Sequence, residues 1–353
     1  MPSGAEVMLY CSAPYWQEAG IEAEILATAE DFGPFASKLE NAGYPIYHIR
    51  FRKSPSFYIA FLNLVRQGKY DLVHIHSERV AFICGILTRL AGIRAVRTIH
   101  NCFAYRGHAG LIKRLQRRFL SLVRCTQIAI GPSVRDTEKQ YFGNPTVVVD
   151  NWYDTNRFFP PTFQRRIEAR REIGISDDTF VVITIGNCNS VKNHPTLLKA
   201  LVNLGEEFDF LYLHVGKEQD GYPERQLAEN LGIMNRVRFL GYVQDVLPLL
   251  HAADVYVMPS LYEGLGIAAI EGLASGTVSV LTDVPGLRDL KCIEGTIWVK
   301  PEVESLTESL KRVAGMSLQE SMALGRQTHE KVRTLFGIER GVNHYAQIYK
   351  RQL

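Results

Sequence analysis

Two glutamates eight residues apart, Glu263 and Glu271, stand in the stretch 258–283, MPSLYEGLGIAAIEGLASGTVSVLTD. The stretch reads as a strand ending in Pro259-Ser260, a loop carrying Glu263-Gly264-Leu265-Gly266, and a helix starting near Ile267. Glycines let backbone approach a ligand closely, and a helix N-terminus offers N–H groups to an anion. In physical terms this is a phosphate site. One reading takes Gly264-x-Gly266-x-x-Ala269, with Asp283 nineteen residues after Gly264, as a partial dinucleotide fingerprint. That would suit an NAD(P)-dependent oxidoreductase. The fingerprint belongs in the first strand–helix unit, whereas this one comes late in its half of the chain, and it leaves both glutamates unused. Eight residues along one helix cover about 12 Å. A glycosidase carboxylate pair needs roughly 5–9.5 Å. The two carboxylates therefore suit different parts of one elongated ligand.

The elements that position this stretch follow one pattern. Short apolar runs at 23–28, 46–49, 72–75, 95–99, 127–130 and 146–149 alternate with helical segments at 35–42, 58–66, 80–91 and 111–123. The pattern breaks at 151–161, NWYDTNRFFPP, a linker by its prolines and turn formers. It restarts with runs at 180–185, 210–215, 237–240, 255–258 and 278–281. Near-continuous apolar strands separated by helices predict parallel sheet covered on both faces, so the fold class is α/β with two doubly wound units. The cleft between them is the expected ligand site. The N-terminus departs from the pattern. Ser3-Gly4-Ala5-Glu6 reads as a turn and 5–19 as a helix kinked by Pro14, so the strand that should open the unit is missing. The alternative makes 7–11 the first strand, leaving about eight residues for a crossover that needs about a dozen.

Composition narrows the class. The 353 residues suit two domains, and 46% hydrophobic content supports a large core. Sixteen Tyr and 17 Phe exclude a disordered chain, and no apolar run is long enough for a polytopic membrane protein. The net charge of +3 is too small for a typical nucleic-acid binder, so no nucleic-acid partner is expected. Its distribution is uneven: residues 1–155 carry 18 Lys+Arg against 13 Asp+Glu, and residues 156–353 carry 22 against 24. The six cysteines form no Cys-x-x-Cys pair and no zinc spacing. They read as core residues in a reducing, cytoplasmic compartment. His74 and His76 share a strand face but lack a clear third ligand, so no metal site is expected.

With these residues in view, the sequence resembles family 4 of the retaining glycosyltransferases of GT-B fold. The Glu-x7-Glu pair lies in the setting Pro-Ser-x-x-Glu-Gly-x-Gly-x-x-x-x-Glu. Gly186…Lys192-Asn193 is similar to the family's diphosphate loop, and Leu240-Gly241 followed by 249–259 to the segment before the glutamate motif. YDLVHIH at 70–76, RTIHN at 97–101 and 151–160 match its N-domain and hinge, and Ser3-Gly4-Ala5-Glu6 its Gly-Gly-x-Glu loop with one glycine replaced.

The resemblance implies two Rossmann-like domains: an acceptor-binding domain at 1–155 lacking its first strand, a nucleotide-sugar domain at 156–336, and a helix at 337–353 crossing back. It implies a retaining transfer from a UDP- or GDP-sugar to a glycan or lipid-linked acceptor in polysaccharide or glycoconjugate biosynthesis, with no cofactor required. Glu271 would hold the nucleotide ribose, and Glu263 would lie at the donor sugar. Gly264, Leu265, Gly266 and Ile267 would contact sugar and diphosphate, Lys192 would neutralise the leaving group, and His100 would lie near the donor sugar. Gly186, Asn187, Gly4, Gly241, Tyr242, Asn101 and Arg106 complete the expected binding set. Asn187 stands where the family usually has Arg, so a non-catalytic sugar-nucleotide binder is the second reading. Residues 111–123 form a basic amphipathic helix. Such a helix ordinarily packs its apolar stripe on the sheet, or it touches an anionic membrane at the inner face.

Overall fold

The computed structural model of the chain describes residues 4–33, 35–176 and 178–352. They divide into two compact units, one being Tyr153–Gly337 and the other joining the chain up to Trp152 with the segment from Ile338 onward. Both are parallel α/β units, as the alternation of apolar strands and helices predicts.

The unit ending at Trp152 runs α1 (Gly4–Glu18), β1 (Ile25–Ala27), α2 (Ala36–Asn41), β2 (Ile46–His48), α3 (Pro55–Gln67), β3 (Leu72–Ile75), α4 (Ala81–Leu90), β4 (Arg94–Ile99), α5 (Gly107–Leu122), β5 (Cys125–Ala129), α6 (Pro132–Phe142) and β6 (Val147–Val148). Its parallel strands form two pieces, β1-β2 and β3-β4-β5-β6, rather than one sheet. Among the described residues no strand joins β1 to β3. The alternative first strand at 7–11 lies inside α1, which continues through Pro14. Gly4 is the first helical residue and not part of a turn ahead of the helix; Ser3 lies outside the described residues. Aromatic packing anchors α1. Its Trp16 meets Tyr345 edge-on with ring centroids 6.5 Å apart. Tyr345 belongs to the chain's last helix (Ile338–Gln352), whose Gly341 passes so close to Trp152 that a Cβ would fall 2.0 Å from the indole.

The Tyr153–Gly337 unit runs α7 (Phe163–Glu172), β7 (Phe180–Ile185), α8 (His194–Leu204), β8 (Phe210–Val215), α9 (Pro223–Asn230), β9 (Val237–Phe239), α10 (Leu247–Ala252), β10 (Val255–Met258), α11 (Ile267–Ala274), β11 (Val278–Thr282), β12 (Ile297–Val299), α12 (Val303–Ala314) and α13 (Leu318–Phe336); the last helix of the chain is α14. Its single parallel sheet has the order β12-β11-β10-β7-β8-β9. Strand β8 (FLYLHV) is buried throughout, which is why it reads as an apolar run interrupted only by His214. Helix α8 buries Leu197, Leu201 and Leu204 and α12 buries Leu306, Leu310 and Val313, each at helical spacing. Burying one such leucine contributes about 2 kcal/mol. Asp254 fixes the start of β10: it accepts from Val181 N at 2.7 Å and pairs with Arg166 at 2.6 Å. The strand order reverses between β7 and β10. In such sheets the crevice outside the strand ends at this switch point is where ligands bind.

Candidate active site

Two loops meet at that switch point. The loop after β7 carries Gly186, Asn187 and Lys192; the loop after β10 carries Ser260, Glu263 and Gly264. Backbone bonds tie them together: Leu261 N donates to Val191 O at 2.8 Å, and Asn193 Nδ2 donates to Pro259 O at 3.1 Å. Lys192 Nζ then donates to Glu263 Oε1 at 2.7 Å, with both side chains mostly enclosed. Ser260 Oγ donates to the same oxygen at 2.7 Å. A charge-assisted bond in a partly dry site is shorter and stronger than one in water. Spacing in the sequence names Lys192 and Glu263 but does not show that they touch.

The position of Glu263 also depends on Gly286. Glu263 N donates to Pro285 O at 2.9 Å. At Gly286, φ is +88°, and a Cβ would fall 2.2 Å from Glu263 O. Both the left-handed backbone and the close approach demand glycine there. Gly264 and Leu265 lead into Gly266, the N-cap of α11, and Ile267 opens that helix with its N-terminus directed outward from the loop.

Glu271 sits one turn further along α11, largely enclosed. Burial pushes its carboxyl up to about 7, the Arg157 guanidinium opposes the rise, and Asp154 adds to it. Arg157 spends a guanidinium nitrogen on Gln244 O and Asp245 Oδ1, each at 3.1 Å, so its charge is shared. Arg157 and Asp154 lie in the linker-like segment, where nothing in their types marked them as neighbours of Glu271.

Asn187 accepts from Lys217 N at 2.9 Å through its Oδ1. It therefore joins the loop after β7 to the loop after β8, which brings exposed Lys217 to the same edge. Gly241 O accepts from Gly216 N at 2.8 Å, placing Gly186, Gly216 and Gly241 side by side at the ends of β7, β8 and β9. Tyr242 is exposed beside them. Asp283, the acidic residue of the fingerprint reading, is paired with Lys291 at 2.8 Å, and the first strand–helix loop of this unit lacks the glycine pattern a dinucleotide requires.

The remaining predicted residues belong to the other unit. His100 follows β4, and its Nε2 lies 3.1 Å from Nδ1 of His76, so one ring donates to the other. His74 stacks on His76 with ring centroids 4.0 Å apart and spends its nitrogens on the hydroxyls of Thr98 and Tyr349. Burial, with the Arg97 charge adding, holds His100 down to about 4, and burial with the His100 charge holds His74 to about 3. At neutral pH His100 is an uncharged imidazole whose tautomer is linked to that of His76, so it can exchange hydrogen bonds but supplies no charge. Asn101 accepts from Phe103 N at 3.2 Å, Arg106 is the N-cap residue of α5, and Gly4 opens α1.

Helix α5 reverses the ordinary expectation for an amphipathic helix. Its inward side buries Leu120 against Ala95 and Cys125 but is otherwise polar. Lys113 Nζ donates to Glu78 at 2.8 Å, and Arg117 pairs with buried Glu138 at 2.7 Å. Glu78 also meets Arg97, and these cations hold its carboxyl below the usual range against the opposing effect of burial. Leu111, Ile112, Leu115, Phe119 and Leu122 are exposed instead, Leu122 at 79%, with exposed Arg114 and Arg118 between them. A buried ion network of this kind is invisible in the sequence, because its members come from β4, α5, α6 and the loop after β3.

The comparisons with known proteins agree with one another. A family model described as "Glycosyl transferases group 1" matches residues 165–328, and one described as "Glycosyltransferase Family 4" matches residues 2–157. An uncharacterized glycosyltransferase of Methanocaldococcus jannaschii is 29% identical over 68% of this chain and 65% of its own length. The UDP-Gal:alpha-D-GlcNAc-diphosphoundecaprenol alpha-1,3-galactosyltransferase of Escherichia coli is 25% identical over 82% of this chain and 78% of its own. The Anabaena protein HepE, solved in complex with UDP and glucose, superposes with a TM-score of 0.84 over 99% of this chain and 97% of its own, at 18% identity. The fold is therefore GT-B.

Proposed function

We propose, from a chain that belongs to the group 1 glycosyltransferases, that it transfers a sugar from a UDP-sugar to a lipid-linked or glycan acceptor with retention at the anomeric carbon. The observation that carries the reading is the Lys192–Glu263 pair joining the loops after β7 and β10, beside the N-terminus of α11. Breaking the sugar–phosphate bond leaves negative charge on the diphosphate and positive charge at the anomeric carbon. Lys192 and the α11 N–H groups answer the first need, and the Glu263 carboxylate answers the second. Glu271 accepts from the ribose hydroxyls, and neutral His100, oriented by His76, hydrogen-bonds the sugar. Lys217 supplies the second cation that Asn187 cannot. The UDP and glucose of HepE and the UDP-Gal of the Escherichia coli relative support a uridine donor.

The purified chain incubated with UDP-glucose or UDP-galactose is expected to release UDP slowly in water and faster with a sugar-diphosphate-polyprenol acceptor. Tight NADH binding without binding of any nucleotide sugar would sink the reading. Binding without release across a broad acceptor panel would favour the non-catalytic binder.

The outward apolar face of α5 supports an acceptor taken from a membrane surface on the cytoplasmic side. Among the described residues no helix is long and apolar enough to cross a membrane, so contact would be peripheral. Apolar side chains would enter the acyl boundary while Arg114 and Arg118 meet anionic headgroups. The chain is expected to sediment with phosphatidylglycerol vesicles, weakly with phosphatidylcholine, and the double variant Leu115→Glu, Leu122→Glu to stay in solution. Equal sedimentation of variant and parent would refute the contact.

A further inference from the structure

We propose that Cys188, His194 and His214, with Glu224 hydrogen-bonded to the Cys188 thiol beside them, form a zinc-type divalent cation site that pins the loop carrying Lys192. The first three side chains are all buried, and one ligand atom from each lies within 4.8 Å of the others. Cys188 Sγ and His214 Nε2 are 3.4 Å apart. The imidazoles of His194 and His214 lie edge to face with centroids 4.7 Å apart.

The polar groups here are undersupplied with partners. Both ring nitrogens of His194 and Nδ1 of His214 are buried without a hydrogen bond, and so is Oε2 of Glu224. Glu224, 5% exposed at the start of α9, hydrogen-bonds the Cys188 thiol. Four orphaned buried atoms from three residues are a large departure from the rule that buried polar groups are satisfied. A cation would occupy an orphaned nitrogen of both histidines at once. One thiolate and two imidazoles suit zinc in softness, with the fourth position left to water.

The ligands come from three places, the loop after β7, the first residue of α8 and β8, and Glu224 adds α9 beside them. No sequence spacing could reveal them, and the sequence reading expected no metal. Cys188 and His194 bracket Lys192, and His214 Nε2 donates to Gly186 O at 3.1 Å, which leaves its orphaned Nδ1 as the nitrogen that would ligate. A cation there would hold the diphosphate loop in place without touching the donor, as a structural zinc does.

The full chain, purified without chelators and dialysed against metal-free buffer, is expected to retain about one zinc per chain by elemental analysis. Cobalt(II) added to the stripped chain is expected to give thiolate-to-cobalt charge-transfer absorption. Cys188→Ser should abolish that absorption, whereas Cys292→Ser should leave it intact. Where Cys188→Ser fails to fold, the parent chain's cobalt titration and its melting temperature with and without zinc decide. Absence of bound zinc together with no cobalt absorption and no zinc-dependent melting shift would overturn the proposal. So would cobalt absorption that survives in folded Cys188→Ser. These readouts do not use donor turnover, so a failed glycosyl transfer would leave them standing.

Discussion

Replacing Glu263 with Gln is expected to lower kcat for donor turnover by roughly two to three orders of magnitude, the cost of removing one preorganised electrostatic group. The amide keeps the shape of the side chain, and its oxygen can still accept from Ser260 Oγ, now 2.7 Å from the carboxylate. What it loses is the charge. Lys192 Nζ then has no anion at 2.7 Å, and no carboxylate faces the positive charge that develops on the sugar. The donor's KM should change far less than kcat, since the charge acts mainly after bond breaking has begun. Lys192→Ala should fall in the same range for the opposite reason, loss of the cation at the diphosphate. Because the two side chains touch, the double variant should lose much less than the product of the single losses. Steady-state kinetics on the four proteins decide the matter. A loss under tenfold in Glu263→Gln, or fully multiplicative losses in the double variant, would remove the pair from the chemistry.

The contrast between Glu263 and helix α5 shows what the sequence could disclose. Strands β7, β8 and β10 carry near-continuous apolar runs because both of their faces are covered, and such runs can be read directly. The three-residue β12 was not read at all. The split between β1-β2 and β3–β6 was equally hidden, because strand pairing is a tertiary choice. In the site, motif spacing named Glu263, Glu271 and Lys192 one by one. Their couplings, Lys192 to Glu263, Glu271 to Arg157, His100 to His76, arise only when loops from separate strands meet. Helix α5 was misjudged by the ordinary rule. Of its large apolar residues only Leu120 turns inward; the others face out because the inner side must satisfy Glu78 and Glu138, and a buried ion left unpaired costs more than exposed leucines do.

Glu271→Gln is expected to make the protein more stable and a worse enzyme, and the two effects share one cause. Folding encloses the Glu271 carboxyl, and burial raises it from the ordinary 4.5 to about 7. The folded chain therefore holds this proton more tightly than the unfolded chain. Below pH 4.5 both states are protonated and the residue costs nothing. Between 4.5 and 7 the cost grows as the unfolded state ionises first, and above 7 it is complete, at most about 3 kcal/mol. A neutral amide avoids that cost. Thermal melts of parent and variant should coincide near pH 4.5 and separate by a few degrees above pH 7, the variant melting higher. Kinetics should move the other way. An ionised carboxylate can accept from both ribose hydroxyls, whereas Gln offers one acceptor and one misplaced donor. Bonds to a charged group are worth about 1.5–3 kcal/mol, so the donor's KM should rise roughly 10- to 100-fold with kcat less affected. In the parent, KM should also rise as pH falls below 7, because the carboxylate is being protonated, and in the variant it should stay flat. A merely structural Glu271 would reproduce the melting result and leave KM and its pH dependence untouched.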